Sequence, residues 1–349
     1  MMKLKKILLL SANQYGHFID HYYLSSELSA YCEVDVISMY EGKSVIPEKD
    51  KVNVVQLLFS TKFSRAFSFR RYLKTIKNKK YDLVIASYFR GICFCASELK
   101  RIADVCYFDV RSIDVSRNQI KRLLFNKLIL LESTFFIKHS VISKGVAEYL
   151  GLKNAFLLPL GCNPQEYKSK LTGTNLLYVG TLNGRDIYKT VEAIAQLPVS
   201  YRSQIRYYIV GSGSQTETDR IKKTIEEHAL SGMVFLVGYV PTADLYQYYE
   251  KSNVGISFVP INDIYTLQPP TKTLEYLAAG LPVLATSTKA NLEILDESCA
   301  FMVNDSAEDF ARGLLLMVDN FDQFQADKIR SKVRDYTWNS IAQSVLELN

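Results

Sequence analysis

The sequence predicts an α/β protein of two Rossmann-like domains, each a doubly wound parallel sheet, facing a central cleft. Three observations carry this reading. The 349 residues amount to about twice an ordinary domain of ~150 residues. In both halves short β-rich apolar runs alternate with longer amphipathic stretches, the pattern of βαβ units. Between the halves Pro159, Gly161, Pro164 and Gly173 cluster, and the alternation restarts beyond them, which marks a seam. The first domain is read as residues 1–165 and the second as 166–329, with a C-terminal helix over about 330–349 free to pack back on the first.

Each element follows from its own residues. Met1-Met2-Lys3-Leu4-Lys5-Lys6 before Ile7-Leu8-Leu9-Leu10 imitates a signal peptide. The apolar run is too short, and Asn13-Gln14 stand where a small-residue cleavage site belongs. Lys6 to Leu10 is therefore a first buried strand, and His17 to Tyr31 has helical spacing. Glu33–Met39, Val52–Leu58, Asp82–Ala86 and Val105–Val110 read as further strands, with a basic helix over Arg65–Lys80. In the second half, strands over Asn175–Val179, Arg206–Val210, Val234–Val237, Val254–Phe258 and Pro282–Ala285 alternate with helices. Those helices are read over Asp186–Leu197, Thr216–Ala229, Thr242–Glu250 and Lys272–Ala279.

A composition of 48% hydrophobic and 22% charged residues excludes a disordered or fibrous chain. No apolar run approaches the ~18–20 residues of a membrane span. The six cysteines are scattered, with only Cys93 and Cys95 close, which fits buried thiols in a reducing cytoplasm rather than a zinc site. The net charge of +6 is unevenly spread. Residues 1–165 hold 25 Lys+Arg against 14 Asp+Glu, a balance of +11; residues 166–349 hold 17 against 22, a balance of −5.

The most informative segment runs from Leu267 through Pro269-Pro270-Thr271-Lys272-Thr273-Leu274-Glu275 to Gly280-Leu281-Pro282. Pro270 suits a helix start, Gly280 a C-terminal cap, and Pro282 stops continuation. Backbone N–H groups beside Thr271, Lys272 and Thr273 would make a diphosphate site with a lysine in place. Glu275, one turn on, could accept two hydrogen bonds from a ribose diol; a helix carrying an N-terminal glutamate for its dipole alone is the plainer reading. Gly211-Ser212-Gly213 lacks the third glycine of a dinucleotide fingerprint, since Thr216 stands there. Tyr239, after the strand ending at Gly238, offers a stacking surface or packs in its loop. In the first half, Gly16 permits close backbone approach to a phosphate. His17 and His21, four apart, lack a third ligand, so no metal is expected. Asp109, Arg111 and Asp114 follow the fifth strand, suited to acceptor contact or to local ion pairing.

Together with Tyr178-Val179-Gly180-Thr181-Leu182, Ile209-Val210-Gly211-Ser212-Gly213 and Phe235-Leu236-Val237-Gly238-Tyr239-Val240, this segment resembles the donor half of a family 4, group 1 glycosyltransferase of GT-B fold. The resemblance covers about residues 170–345, through Tyr336-Thr337-Trp338. It is looser before that, through Ser143-Lys144-Gly145 and Leu158-Pro159-Leu160-Gly161-Cys162-Asn163. It implies that Glu275 corresponds to the second glutamate of the E-x7-E motif, which holds the donor ribose. Arg185 falls where the family has a phosphate-binding lysine, eight residues before Ala193. Lys272 supplies a second charge, as in members with a Pro-x-Lys helix start. Arg185, Lys272 and Glu275 are the expected catalytic set. Gly16, Gly180, Gly211, Gly213, Tyr239, Thr271 and Thr273 are expected at the donor, and His17, Asp109 and Arg111 on the acceptor side. Two positions depart from the pattern: Leu267 stands where the first glutamate would be, and Thr181 where an arginine often follows the glycine.

The resemblance implies a hexosyltransferase using a nucleotide-diphosphate sugar and a glycan or polyprenyl-linked acceptor, retaining and metal-independent, without further cofactor, in cell-surface polysaccharide synthesis. A non-catalytic sugar-nucleotide-binding subunit and a nucleotide-sugar epimerase are the alternatives. The basic stretches around Arg65–Lys80 and Arg117–Lys127, interleaved with Phe63, Phe67, Phe69 and Phe125, suit an anionic membrane surface. No nucleic-acid module accompanies them. The expected location is cytoplasmic, peripheral at the inner face of the cell membrane.

Overall fold

The computed structural model describes residues 6–44, 51–61, 64–114, 118–165, 171, 173–263, 265–268 and 270–348. Met1–Lys5, Phe63, Arg117 and Pro269 lie outside the described residues. The chain divides into two compact units, Met1–Gly161 with Tyr336–Asn349, and Cys162–Asp335.

In the first unit β1 (Lys6–Leu10), β2 (Glu33–Met39), β3 (Val52–Leu57), β4 (Tyr81–Ser87), β5 (Ala103–Val110), β6 (Lys138–Val141) and β7 (Phe156–Leu157) form one sheet. All pairs are parallel, in the order β3-β2-β1-β4-β5-β6-β7. The connections carry α1 (Ile19–Leu28), α2 (Ser64–Thr75), α3 (Ala96–Ile102), α4 (Gln119–Ser133) and α5 (Lys144–Leu150). The second unit repeats the plan with β8 (Thr174–Val179), β9 (Ile205–Val210), β10 (Val234–Gly238), β11 (Val254–Ser257), β12 (Val283–Thr286) and β13 (Ala300–Val303). Its parallel order is β10-β9-β8-β11-β12-β13. Its helices are α6 (Tyr188–Gln196), α7 (Val199–Arg202), α8 (Gln215–Glu227), α9 (Tyr246–Glu250), α10 (Thr271–Ala278), α11 (Lys289–Leu292), α12 (Ala307–Asp319) and α13 (Ala326–Ser331). Central strands such as β1 and β12 are covered on both faces, which is why they read as unbroken apolar runs.

The last helix, α14 (Trp338–Leu346), belongs to the first unit, where Trp338 stacks on Tyr23 of α1 with ring centroids 5.9 Å apart. A Cβ at Gly161 would stand 2.3 Å from the Trp338 ring, so only glycine fits beneath it. Three expectations shift. Helix α2 ends at Thr75, well short of Lys80, because Lys77 to Lys80 bring charge without apolar anchors. Helix α6 begins at Tyr188, because Gly184 and Asp186 adopt φ of +66° and +52° and break the helical path. Strands β6, β7 and β13, of four, two and four residues, were not foreseen from the sequence.

In each sheet the strand order reverses at one point, between β1 and β4 and between β8 and β11. The chain leaves these strands in opposite directions, which opens a crevice beyond their carboxyl ends. At the first of these points His21 of α1 is 3% exposed, its Nε2 2.9 Å from Ser87 Oγ at the end of β4. Ser87 donates to Asp109 Oδ2 at 2.9 Å, and Ser140 donates to Oδ1 at 2.8 Å. Asp109, expected either to meet an acceptor or to pair locally, is fully buried with the Arg111 Nε 3.9 Å away, and burial raises its carboxyl above the usual range. Arg111, expected beside it, is an internal clamp: its guanidinium pairs with Asp20 at 2.6 Å and donates to the carbonyls of Leu158 and Pro159.

Interlocked turns close the strand ends of the second sheet. The amide of Gly180 donates to Val210 O at 3.0 Å, that of Leu182 to Ser212 O at 2.9 Å, and that of Gly211 to Gly238 O at 2.8 Å. A Cβ on Gly211 would lie 1.7 Å from the Gly180 carbonyl oxygen, at a φ of +147°. One on Gly213 would lie 2.8 Å from Leu182 Cβ. Both were expected against the donor; Gly211 serves first to let backbone pass backbone, and Gly213 leaves room for the Leu182 side chain.

Two tests follow from this packing. Burial, then the charge of Arg111, brings the His21 imidazole down to about 3 from its ordinary 6.5. The unfolded chain takes this proton first, so the stabilisation is complete above about pH 6.5 and is lost as pH falls toward 3. Denaturation followed by the single tryptophan, Trp338, should show stability falling with a slope approaching about 1.4 kcal/mol per pH unit from this group. His21→Gln should flatten that slope. Gly211→Ala should destabilise by about 3 kcal/mol or more, whereas Gly232→Ala, with open space around its Cβ, should change the thermal midpoint little.

Candidate active site

A hollow of about 230 Å³ lies at the reversal point of the second sheet. Its walls are the end of β8 with Gly180, Thr181 and Arg185, the end of β11 from Ile256 to Val259, and the first turn of α10 with Pro270, Thr271 and Lys272. Three of these elements are tied together by buried hydrogen bonds, and the ties explain where the side chains point.

Helix α10 can approach the sheet because β11 carries Gly255, where a Cβ would meet the Tyr276 ring at 2.3 Å. Tyr276, fully buried, accepts the amide of Val179 on its phenol oxygen at 2.8 Å, and so fixes the last residue of β8. Thr273 lies one turn earlier on the same inner side, also fully buried. Its Oγ1 is 2.6 Å from Ser257 Oγ and donates to Asn291 Oδ1 at 3.2 Å. Asn291 in turn donates to Thr286 O, and Thr286 Oγ1 accepts from the amide of Val259. Thr273 was expected to face the donor; its hydroxyl is spent inside this network, and its amide donates to Pro270 O at 3.1 Å. At the far end Gly280, with φ +78°, closes the helix as expected, the Leu281 amide returning to Tyr276 O at 2.9 Å.

The charged groups sit on the outer side of the same helix. Lys272 Nζ lies 2.5 Å from Glu275 Oε2, and Tyr249 of α9 donates to that oxygen at 3.0 Å. Both contacts fall on Oε2, so among the described residues Oε1 is the oxygen left to accept from a ligand. Cys162 is buried beside this carboxylate; burial first, then the charge of Glu275, pushes its thiol up to about 12, so it stays protonated and inert. Across the hollow, the Arg185 guanidinium rests on the Tyr265 ring, 4.2 Å from its centroid. Tyr265 opens the short turn Tyr265–Leu267, so an aromatic shelf and an aliphatic side chain stand where the resemblance implies a glutamate. A fork-shaped cation held over an aromatic ring, sharing one hollow with a lysine and a helix start, is suited to a diphosphate.

The expected residues therefore separate. Arg185, Gly180, Thr271 and Lys272 line one hollow, and Glu275 joins them through Lys272. Gly211, Gly213 and Tyr239 do not line it; Tyr239 is 75% exposed beyond β10. In the first unit Gly16 has a φ of +83°, and His17 is exposed with Nε2 2.8 Å from Ser44 O. Gln14, not among the expected site residues, is the buried organiser there: its amide oxygen accepts from the amides of Glu41 and Lys43. Tyr249, Tyr265 and Ser257 were likewise unforeseen, since their roles rest on contacts between distant segments. No group of three or more His, Cys, Asp or Glu that could hold a metal ion occurs among the described residues.

Residues 173–320 match the family described as Glycosyl transferases group 1, and residues 6–112 match Glycosyl transferase 4-like. No curated protein matches the chain by sequence. Among solved structures, sucrose-phosphate synthase from Thermosynechococcus elongatus superposes with a TM-score of 0.76 at 19% identity, over 98% of this chain and 97% of that one. HepE of Anabaena in complex with UDP gives 0.75 at 13% identity over 98% of both. WaaG, a glycosyltransferase involved in lipopolysaccharide biosynthesis, gives 0.68 at 15% identity over 98% of both. At such identities the likeness shows the fold, which is GT-B, while the two family matches fall one in each unit. The chain belongs to the group 1 glycosyltransferases and is a transferase enzyme.

Proposed function

We propose that this enzyme transfers a hexose from a nucleotide-diphosphate sugar to a glycan or lipid-linked acceptor, with retention of configuration and without a metal, in the building of a cell-surface polysaccharide. The observation that carries the proposal is the hollow at the β8–β11 reversal, where Arg185 and Lys272 stand at the start of α10 with Glu275 one turn behind. The solved complexes of HepE with UDP and with UDP-glucose support a uridine donor. WaaG supports a surface glycan as the destination.

In this reading the donor diphosphate lies against the first turn of α10, and its developing charge is balanced by Arg185 and Lys272. Glu275 accepts the ribose hydroxyls through Oε1. The acceptor oxygen attacks the anomeric carbon on the face that the diphosphate leaves. The new carbon–oxygen bond forms as the bond to phosphate breaks, and the acceptor proton passes to a departing phosphate oxygen. No carboxylate nucleophile is required, which accords with Leu267.

Thermal-shift measurements with UDP, GDP, ADP and CMP test the donor site. At least one diphosphate should raise the midpoint, since a ligand in excess of its dissociation constant stabilises the fold; no shift with any of them rejects the site. Arg185→Ala should weaken the diphosphate by about tenfold or more and leave the monophosphate much less affected. Glu275→Gln should shrink the preference for the ribonucleotide over its 2′-deoxy analogue. NMR of the donor alone should show no epimerised product, and with acceptor a glycoside of unchanged anomeric configuration.

A further inference from the structure

The guanidinium of Arg185 is held without being neutralised. Arg65, Arg70, Arg111 and Arg330 each meet a carboxylate within 3.2 Å. Among the described residues the Arg185 side chain makes no hydrogen bond or ion pair; the group that holds it is the Tyr265 ring, 4.2 Å away at the centroid. A carboxylate in that place would fix the cation as firmly, but would cancel its charge and take up its donors. An aromatic ring attracts the cation and leaves both charge and donors to an incoming anion. The turn that carries the ring, Tyr265–Leu267, contains no acidic residue.

Both partners are fixed from outside their contact. Arg185 stands in the turn after β8, between Gly184 and Asp186 with φ of +66° and +52°. Left-handed backbone is uncommon for an aspartate and persists where the surroundings impose it. Here the turn is tied to α8: the Gly184 amide donates to Glu217 Oε1 at 3.4 Å, and Asn183 Oδ1 accepts from the Ser214 amide, just before that helix, at 2.7 Å. The Tyr265 turn is built on Asn262, whose Oδ1 accepts the Tyr265 amide at 3.0 Å and whose carbonyl accepts that of Thr266 at 3.1 Å. Thr266 Oγ1 in turn accepts the Lys289 amide of α11 at 3.0 Å. Ring and guanidinium meet because two separately anchored turns converge.

We infer that Tyr265 is a positioning residue of the donor site: its ring preorganises Arg185 and thereby sets the preference for a nucleoside diphosphate over the monophosphate. The inference rests on the donor reading, which assigns Arg185 to the diphosphate. An unrestrained arginine loses rotamer freedom when it clamps a phosphate, and a ring that already restricts it removes part of that cost from binding.

The test is isothermal titration of the full chain with UDP, GDP and ADP and with their monophosphates, repeated on Tyr265→Leu, Tyr265→Phe and Arg185→Ala. Tyr265→Leu should weaken the diphosphate that binds about fivefold and its monophosphate by less than about twofold. Tyr265→Phe keeps the ring and should restore the affinity. Added to Arg185→Ala, Tyr265→Leu should change nothing more, since its effect passes through the guanidinium. In spectra of the wild-type chain carrying isotope-labelled arginine, the Arg185 Nε–H signal, assigned by its loss in Arg185→Ala, should be displaced by the ring current. An unchanged diphosphate affinity in Tyr265→Leu, an equal loss for both nucleotides, or a loss that survives in Arg185→Ala overturns the inference and leaves the donor site standing. So does a loss that Tyr265→Phe shares, or an undisplaced Nε–H signal. Binding of none of the diphosphates rejects the donor reading, and the inference with it.

Discussion

The hydrogen bond between Ser257 and Thr273, 2.6 Å long and wholly buried, fixes the part of the molecule on which the site depends. It joins the last residue of β11 to the first turn of α10 in an environment where an unpaired hydroxyl is costly. Asn291 and Thr286 extend it to β12 and α11, and Tyr276 performs the same service for β8. With these ties made, the start of α10 has one place to be, the crevice where the sheet order reverses. The outward positions of that turn are then set by helical geometry alone: Lys272 and Glu275, three apart, share the outer side, while Thr273 and Leu277 go in. Precision at the site comes from inner residues that touch no ligand.

Charge is deployed differently in the two units. The second is acidic overall, yet its hollow is cationic, because Arg185 is pinned on Tyr265 and Lys272 is pinned by Glu275. The Lys272–Glu275 pair is partly exposed, and pairs of that kind add little to stability. Its value lies in orientation: it holds the ammonium at the helix start through one carboxylate oxygen, Oε2. In the first unit the strongest electrostatic features are internal, Arg111 on Asp20 and Glu132 on backbone amides. Its excess of positive charge is left at the surface, on α2 and α4 among other places.

Much of this was legible in the chain. Lys6–Leu10 and Val283–Ala285 are apolar runs that only a doubly covered strand explains, and Pro270 with Gly280 bracket α10 as the structure does. Thr273 was misjudged although its position was readable, since it shares a helical face with Leu277. Asp109 was less accessible: strand alternation shows that it alternates, but not that Ser87 and Ser140 from neighbouring strands enclose it. Tyr249 meets Glu275 across 26 residues, a contact that no local pattern announces. Helix α4 read as basic and amphipathic, yet which side faced inward depended on Gly91 and Cys93 offering their amides to Glu132. Residues that answer to their own neighbours in sequence were recoverable; those that answer to distant backbone were not.

Hydrogen–deuterium exchange of the full chain with and without saturating UDP tests the central claim most directly, that a nucleoside diphosphate is held where β8 and β11 diverge. Protection is predicted in peptides spanning Tyr178–Arg185, Ser257–Val259 and Pro270–Tyr276, with the strand interiors unchanged. Protection confined to the first unit, or none in these three segments while binding is demonstrably saturated, would contradict the account.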